Sequence, residues 1–73
     1  MGDFLHISYN KLWKLLIDKD MKKKDLRLAT GMSTTALAKL GKNEHVNTRI
    51  LCKICEVLDC ELWDIAELVK EEK

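Results

Sequence analysis

Residues 23–42, KKDLRLATGMSTTALAKLGK, decide the fold of this chain because they predict two short helices joined by one tight corner. Gly31 can take the left-handed conformation that ends a first helix over about 23–30. Ser33 can then accept a hydrogen bond from the first turn of a second helix over about 34–42. The stretch therefore predicts a helix-turn-helix.

The two predicted helices have distinct inward and outward faces. On the first helix, Leu26, Ala29 and Thr30 keep helical spacing. On the second, Leu37 and Leu40 are the only large apolar residues, so one narrow stripe faces the core. A face of small, hydroxylated and cationic side chains suits a DNA groove. The outward residues of the second helix are Thr34, Thr35, Ala38, Lys39 and Lys42.

The same stretch resembles the Cro/C1-type (XRE) family of bacterial and phage helix-turn-helix proteins. Downstream, the run LCKICEVLDCELWDI, residues 51–65, resembles the family's fourth and fifth helices. The resemblance extends over about 8–69 and implies an all-α, compact, five-helix, lambda-repressor-like domain that acts as a transcriptional regulator. The family pattern Leu-x(4)-Gly-apolar-Ser-x(3)-apolar is matched by Leu26, Gly31, Met32, Ser33 and Leu37.

Length and composition are consistent with one small helical domain. A chain of 73 residues buries only about 60% of its unfolded surface, which leaves little room for a catalytic cleft. Apolar residues spaced by three and four, with no proline, favour helices. No apolar run reaches the about 18 residues of a membrane span, and the N-terminus lacks the features of a signal peptide. We therefore expect a cytoplasmic protein without a membrane partner.

The predicted domain covers residues 8–70, between an N-terminal arm at 1–7 and a frayed end at 71–73. The arm carries apolar residues such as Phe4 and Ile7 without helical caps. It fits a frayed arm, a short extended segment or residues foreign to the native chain.

Three further helices complete the expected domain. The first runs over about 9–19 and is capped by Ser8. The fourth is capped by Asn47 or Thr48 and ends near Asp59, after a stripe formed by Leu51, Ile54, Cys55 and Leu58. The fifth is predicted by the same spacing in Leu62, Ile65, Ala66 and Val69.

Charge is segregated along the chain. Residues 11–53 carry eleven Lys or Arg against four acids, a net +7, whereas residues 54–73 carry two against seven, a net −5. A basic face attracts a polyanion, although lysines on an ordinary solvated surface are the alternative. Lys22, Lys23 and Lys24 open a predicted helix, where free N–H groups already attract a DNA phosphate.

The residues favour neither catalysis nor metal binding. Cys52 and Cys55 form a Cys-x-x-Cys pair, but the pair lies within a predicted helix and no second pair follows at zinc spacing. With Cys60 they are expected to be free, buried or half-buried thiols, without a metal, cofactor or disulfide. No catalytic triad, Gly-rich phosphate loop or carboxylate pair occurs, so we expect no enzyme and no small-molecule substrate. His45 fits a solvated loop near the DNA side.

The leading hypothesis is a sequence-specific transcriptional regulator that binds double-stranded DNA and inserts its third helix into the major groove. Thr34 and Thr35 are the expected base contacts, and Ser33 is expected as a cap or phosphate ligand. The alternative is a protein-interaction module, antitoxin-like or a modulator of another regulator, with weak or no DNA specificity. The predicted DNA-binding residues are Lys22, Lys23, Lys24, Ser33, Thr34, Thr35, Lys39, Lys42 and Asn43.

A homodimer is the expected assembly, because one helix-turn-helix covers few base pairs. Trp63 falls off the predicted core stripe and lies in the acidic part of the chain, so it is the predicted dimer interface. The alternative is that Trp63 folds back over the edge of its own core. Trp13 also falls off its stripe and is expected to pack against the edge of a neighbouring helix. The operator sequence, the regulated genes and the choice between activation and repression are not readable from the residues.

Overall fold

Four α-helices and one small sheet make up the molecule. The computed structural model describes residues 4–71 and the side chains of residues 5–70, so the predicted arm at 1–3 and the predicted frayed residues 72 and 73 lie outside it. No helix in the described part is long and apolar enough to span a membrane. The elements are β1 (Phe4–Ser8), α1 (Asn10–Asp18), α2 (Lys23–Thr30), α3 (Thr34–Gly41), α4 (Thr48–Leu58), a single 3-10 turn (Leu62–Asp64) and β2 (Glu67–Glu71).

The sheet joins the two ends of the chain. β1 and β2 pair antiparallel, with Phe4 opposite Glu71 and Ser8 opposite Glu67. Residues 4–7 are therefore an extended segment, one of the three alternatives left open by the sequence, and Glu71 belongs to a strand instead of a frayed end. The all-α expectation is corrected to a mostly helical fold with a two-stranded sheet.

The predicted fifth helix is wrong. Residues 62–64 form one 3-10 turn, and Val69 lies in β2. The helical spacing was ambiguous because adjacent Leu68 and Val69 also suit a strand, and β1 supplies the backbone partners for that strand. A local sequence pattern cannot predict a strand partner that lies at the other end of the chain. Ile65 and Ala66 are nevertheless buried, as their place on the predicted stripe required.

The core is formed by one face of each helix together with the turn before β2. Each fully buried aliphatic side chain contributes about 1.5–3 kcal/mol relative to exposure. Several predicted inward residues differ: Ala29 and Leu62 are exposed, and four others are only half-buried, namely Thr30, Leu37, Cys55 and Val69. The buried apolar residues are Tyr9, Leu12, Leu16, Leu26, Met32, Ala36, Leu40, Leu51, Ile54, Leu58, Ile65 and Ala66.

The corner between α2 and α3 forms as predicted. Gly31 takes a left-handed conformation with φ of 76°, and its N–H donates to the Arg27 carbonyl oxygen at 2.9 Å. The Ser33 hydroxyl oxygen accepts a hydrogen bond from the Ala36 N–H at 3.1 Å. One carbonyl at the end of α2 and one N–H at the start of α3 are thus paired within the corner, which favours this turn locally.

Tyr9 ties the start of α1 to the loop after α3. Its hydroxyl donates to the Glu44 carbonyl oxygen at 3.1 Å, and its N–H donates to Asn43 Oδ1 at 2.9 Å. Burial raises the pKa of Tyr9, so its hydroxyl stays protonated and able to donate. Helix α1 begins at Asn10, one residue later than predicted, so the N-cap is Tyr9 and the predicted Ser8 cap is wrong. The hydroxyl oxygen of the buried Ser8 instead accepts a hydrogen bond from the Asn10 N–H at 3.3 Å.

Candidate nucleic-acid interface

Helix α3 presents its predicted outward face to solvent. Thr34, Thr35 and Lys39 are exposed, whereas Ala36 and Leu40 anchor the opposite side in the core. Ala38 and Lys42 are exposed as well. Because the anchoring side chains are buried, the exposed threonines are held at fixed positions along a rigid helix.

The loop after α3 adds side chains to the same surface. A depression of about 360 Å³ is lined by Ser33, Thr35 and Lys39 from the α3 region and by His45 and Asn47 from the loop. The sequence pattern placed His45 near the DNA side without assigning it a contact, and it assigned Asn47 only as a cap. His45 and Asn47 both follow the predicted recognition helix closely in the sequence. That proximity could have identified them as part of the same surface.

Two predicted DNA contacts already have structural roles. The Ser33 oxygen caps α3, so its hydroxyl hydrogen is what remains to donate to a phosphate. Asn43 has φ of 57°, a left-handed conformation that Asn tolerates better than most residues, and its side-chain oxygen accepts the Tyr9 N–H. Only the NH₂ group of Asn43 is left for another partner.

The lysines that open α2 are exposed. The Lys22 N–H donates to Asp25 Oδ2 at 3.0 Å, so Asp25 has the role of the acidic residue at the third helical position of a capping box. Lys23 Nζ lies 4.5 Å from the ring centroid of Trp13, a cation–π distance. Trp13 is half-buried and packs against the core. This contact holds one of the three ammonium groups beside α1.

The acidic part of the chain carries an exposed apolar surface. Leu62 is 51% exposed, Trp63 67% and Leu68 65%. With Ile7 and Leu51 they line a groove of about 270 Å³, which we call the apolar groove. Lys11 Nζ donates to the Trp63 carbonyl oxygen at 2.9 Å, which ties the 3-10 turn to α1 while the indole stays on the surface.

The three cysteines are free thiols. Cys52 is exposed, whereas Cys55 and Cys60 are half-buried, so the expectation of buried or half-buried thiols holds for two of the three. Among the residues that the structure describes, no group of three or more His, Cys, Asp or Glu side chains is arranged to hold a metal ion.

A helix-turn-helix whose second helix is exposed along a hydroxylated and cationic face defines a DNA-binding domain. The chain belongs to the Cro/C1-type HTH DNA-binding domain family, whose model matches residues 11–71. The family resemblance inferred from the sequence is thereby confirmed.

Among solved structures, the chain is similar to the transcriptional regulator VanUg. The two share 57% sequence identity with a TM-score of 0.90, over 92% of this chain and 89% of that chain. No match was found among curated proteins. The matched family is described by DNA binding, and VanUg is described as a transcriptional regulator.

Proposed function

We propose that this chain is a sequence-specific DNA-binding transcriptional regulator. The observation that carries the proposal is the exposure of Thr34, Thr35 and Lys39 on a helix that Ala36 and Leu40 anchor in the core. Membership of a DNA-binding family supplies the partner, and the likeness to VanUg supports a regulatory role. With double-stranded DNA as the proposed partner, a cytoplasmic location is part of the same proposal.

In this proposal α3 enters the major groove and its first residues meet the base edges. The Thr34 and Thr35 hydroxyls donate or accept, and their methyl groups can touch a thymine methyl. A good side-chain contact with a base discriminates by about 1–3 kcal/mol. Threonine is stiff at its first torsion, so little rotamer entropy is lost when the contact forms.

Phosphate contacts are assigned to the surrounding cations and polar groups. Such contacts position the protein without reading sequence, and they make affinity depend on salt. Ser33 would donate its hydroxyl hydrogen, and Asn43 its NH₂ group. The ammonium groups assigned to phosphates are those of Lys22, Lys23, Lys24, Lys39 and Lys42.

We also propose that the protein acts as a homodimer through the apolar groove. Leu62, Trp63 and Leu68 together expose a contiguous apolar surface, which is the kind of patch that marks an interaction site. An aromatic residue at the centre of such a patch is typical of an interface anchor. Two copies related by a two-fold axis would place two α3 helices on half-sites about one helical turn apart.

Selection of bound sequences from a random DNA pool, followed by salt titration of the selected duplex, tests the proposal. We expect a log–log slope of about −0.9 per neutralised phosphate, and each of the five Lys→Ala variants should reduce the magnitude of the slope by roughly one contact. Lys14→Ala is the matched control, since it removes an exposed lysine of α1 that is assigned no phosphate. A slope near zero, or unchanged slopes in all five variants, would contradict the proposal.

The apolar groove also supports the alternative function, a protein-interaction module with weak or no DNA specificity. In that alternative, Leu62, Trp63 and Leu68 bind a different protein, and α3 has no role in DNA binding. The same experiment separates the two, because a protein-interaction module would enrich no sequence from the pool.

A further inference from the structure

The end of α4 brings two thiols together. Asp59 takes a left-handed conformation with φ of 56° and ψ of 54°, and its N–H donates to the Cys55 carbonyl oxygen. The Cys60 N–H donates to the same oxygen at 3.0 Å. In this type of helix ending, the residues at the positions of Cys55 and Cys60 make a side-chain contact that is usually hydrophobic. Here cysteines occupy both positions, and the interaction between the two thiols contributes to the pKa shift of each.

We infer that Cys55 and Cys60 are a dithiol site that closes to an intramolecular disulfide by exchange with small disulfides such as glutathione disulfide. One backbone hydrogen bond joins the two residues directly, which keeps their Cα atoms within the about 4.4–6.8 Å that disulfides span. Because that backbone bond already holds the two residues together, we expect the disulfide to form without moving α4 or the turn that follows it.

The site is open to a small reagent. A groove of about 680 Å³ runs between the helix-turn-helix corner and α4, and it is lined by Gly31, Met32, Cys52, Cys55 and Cys60. Cys52 lies one turn before Cys55 and is exposed. Cys52 could compete with Cys60 for Cys55. Unlike Cys60, however, Cys52 is not joined to Cys55 by the backbone hydrogen bond of the helix ending.

The exchange balances in two steps. One cysteine loses its proton to solvent, and its thiolate attacks a sulfur of glutathione disulfide, which forms a mixed disulfide and releases one glutathione thiolate. The second cysteine loses its proton and attacks the protein sulfur of the mixed disulfide, which releases the second glutathione. The protein is oxidised by two electrons, and one glutathione disulfide is reduced to two glutathione molecules.

Burial makes this exchange slow at neutral pH. It raises the pKa of Cys60 to about 11, and it also raises the pKa of Cys55. Because the thiolate is the nucleophile, the rate should rise by up to about tenfold per pH unit between pH 7 and 10.

Peptide mapping of the native protein after incubation with glutathione disulfide tests the inference. Trypsin cuts after Arg49, Lys53 and Lys70, so Cys52 lies on peptide 50–53 while Cys55 and Cys60 share peptide 54–70. After an acid quench and alkylation, we expect peptide 54–70 lighter by two hydrogen atoms and unalkylated. A cross-link between the two peptides, a stable mixed disulfide on 54–70, or an unreacted 54–70 peptide would overturn the inference.

Two variants and one solvent change serve as controls. Cys52→Ser should close at the wild-type rate, whereas Cys60→Ser should stop at the mixed disulfide on Cys55. In urea the fold no longer holds the pair together, so the equilibrium constant for closure should fall by about tenfold or more. Equal closure in native buffer and in urea would mean that proximity in sequence, and not the folded arrangement, brings the thiols together.

Discussion

Thr35 combines two properties that a base-reading residue needs. It is exposed near the start of α3, and it lines the same depression as Lys39 and His45. A short β-branched side chain on a rigid helix has few rotamers to lose, so its hydroxyl and methyl groups stay where the backbone puts them. Base recognition by such a residue therefore depends more on where the helix backbone places it than on the length of its side chain.

Replacing Thr35 with Ala should therefore reduce discrimination more than overall binding. We expect a loss of about 1 kcal/mol for the selected duplex and little loss for random DNA, since only base contacts distinguish the two. Titration of both duplexes at one salt concentration measures the difference. Thr35→Ser keeps the hydroxyl and serves as the control. Equal losses on both duplexes would reassign Thr35 to a phosphate.

Single residues also show where a sequence pattern stops being informative. The cap at Ser33 was predictable, because its partner Ala36 is three residues away. The burial of Tyr9 was not, because its hydrogen-bond partners Asn43 and Glu44 follow α3. A buried polar group requires a partner, but the sequence does not say which distant group provides it.

At the scale of elements, the helix-turn-helix corner depends on a single backbone conformation. Gly31 has a positive φ, and a Cβ added there would meet no atom within 4 Å, so any cost of substitution is conformational. We expect Gly31→Ala to lower the free energy of unfolding by about 1 kcal/mol in urea denaturation. Gly41 in α3 also has open space around it, and Gly41→Ala should instead raise the stability by about 0.5–1 kcal/mol. Equal effects of the two substitutions would contradict this explanation.

The elements that could be predicted are those whose determinants are local. Helices α2 and α3 matched the predicted bounds to within a residue, because caps and apolar spacing lie inside the segment itself. Strand β2 could not be recognised, since its hydrogen bonds go to β1 at the other end of the chain. For the candidate site, the exposed face of α3 was readable from the sequence, whereas the depression that includes His45 required the fold.

The ending of α4 predicts a pH dependence of stability. Burial raises the pKa of Cys60 to about 11, from an ordinary cysteine value of 9.0. The folded protein therefore holds this proton more tightly than the unfolded chain. The resulting stabilisation is fully present below about pH 9 and is lost as the pH rises through 11. The melting temperature of wild type should fall more between pH 9 and 11 than that of Cys60→Ser under reducing conditions. If the melting temperatures of the two proteins fell in parallel over this pH range, Cys60 would not be the source of the pH dependence.

On the scale of the whole molecule, most of the apolar groove comes from the acidic segment, whereas the helix-turn-helix lies in the basic one. Basic residues dominate positions 11–53, and acidic residues dominate positions 54–73. An acidic segment is repelled by phosphates, so the surface around Trp63 is suited to a protein partner and not to DNA. This separation allows dimerisation and DNA binding at the same time.

Trp63→Ala should shift the sedimentation of the free protein towards monomer and weaken binding to a palindromic site far more than to a half-site. The indole is 67% exposed, so the monomer's own stability should change by less than about 0.5 kcal/mol. Ile17→Ala is the matched control, because Ile17 is 75% exposed on α1 and does not line the groove. Wild-type protein that sediments as a monomer at a concentration of roughly tens of micromolar would remove the dimer from the proposal.

The central claim is that α3 reads DNA, and amide chemical-shift mapping during titration with the selected duplex tests it most directly. We predict the largest changes at Ser33, Thr34, Thr35 and Lys39 and smaller ones at Lys22–Lys24. Along α1 we predict changes beyond baseline only near Trp13, which Lys23 contacts. The result that would contradict the account is a titration in which the α3 amides stay unchanged while those of α1 or the apolar groove shift.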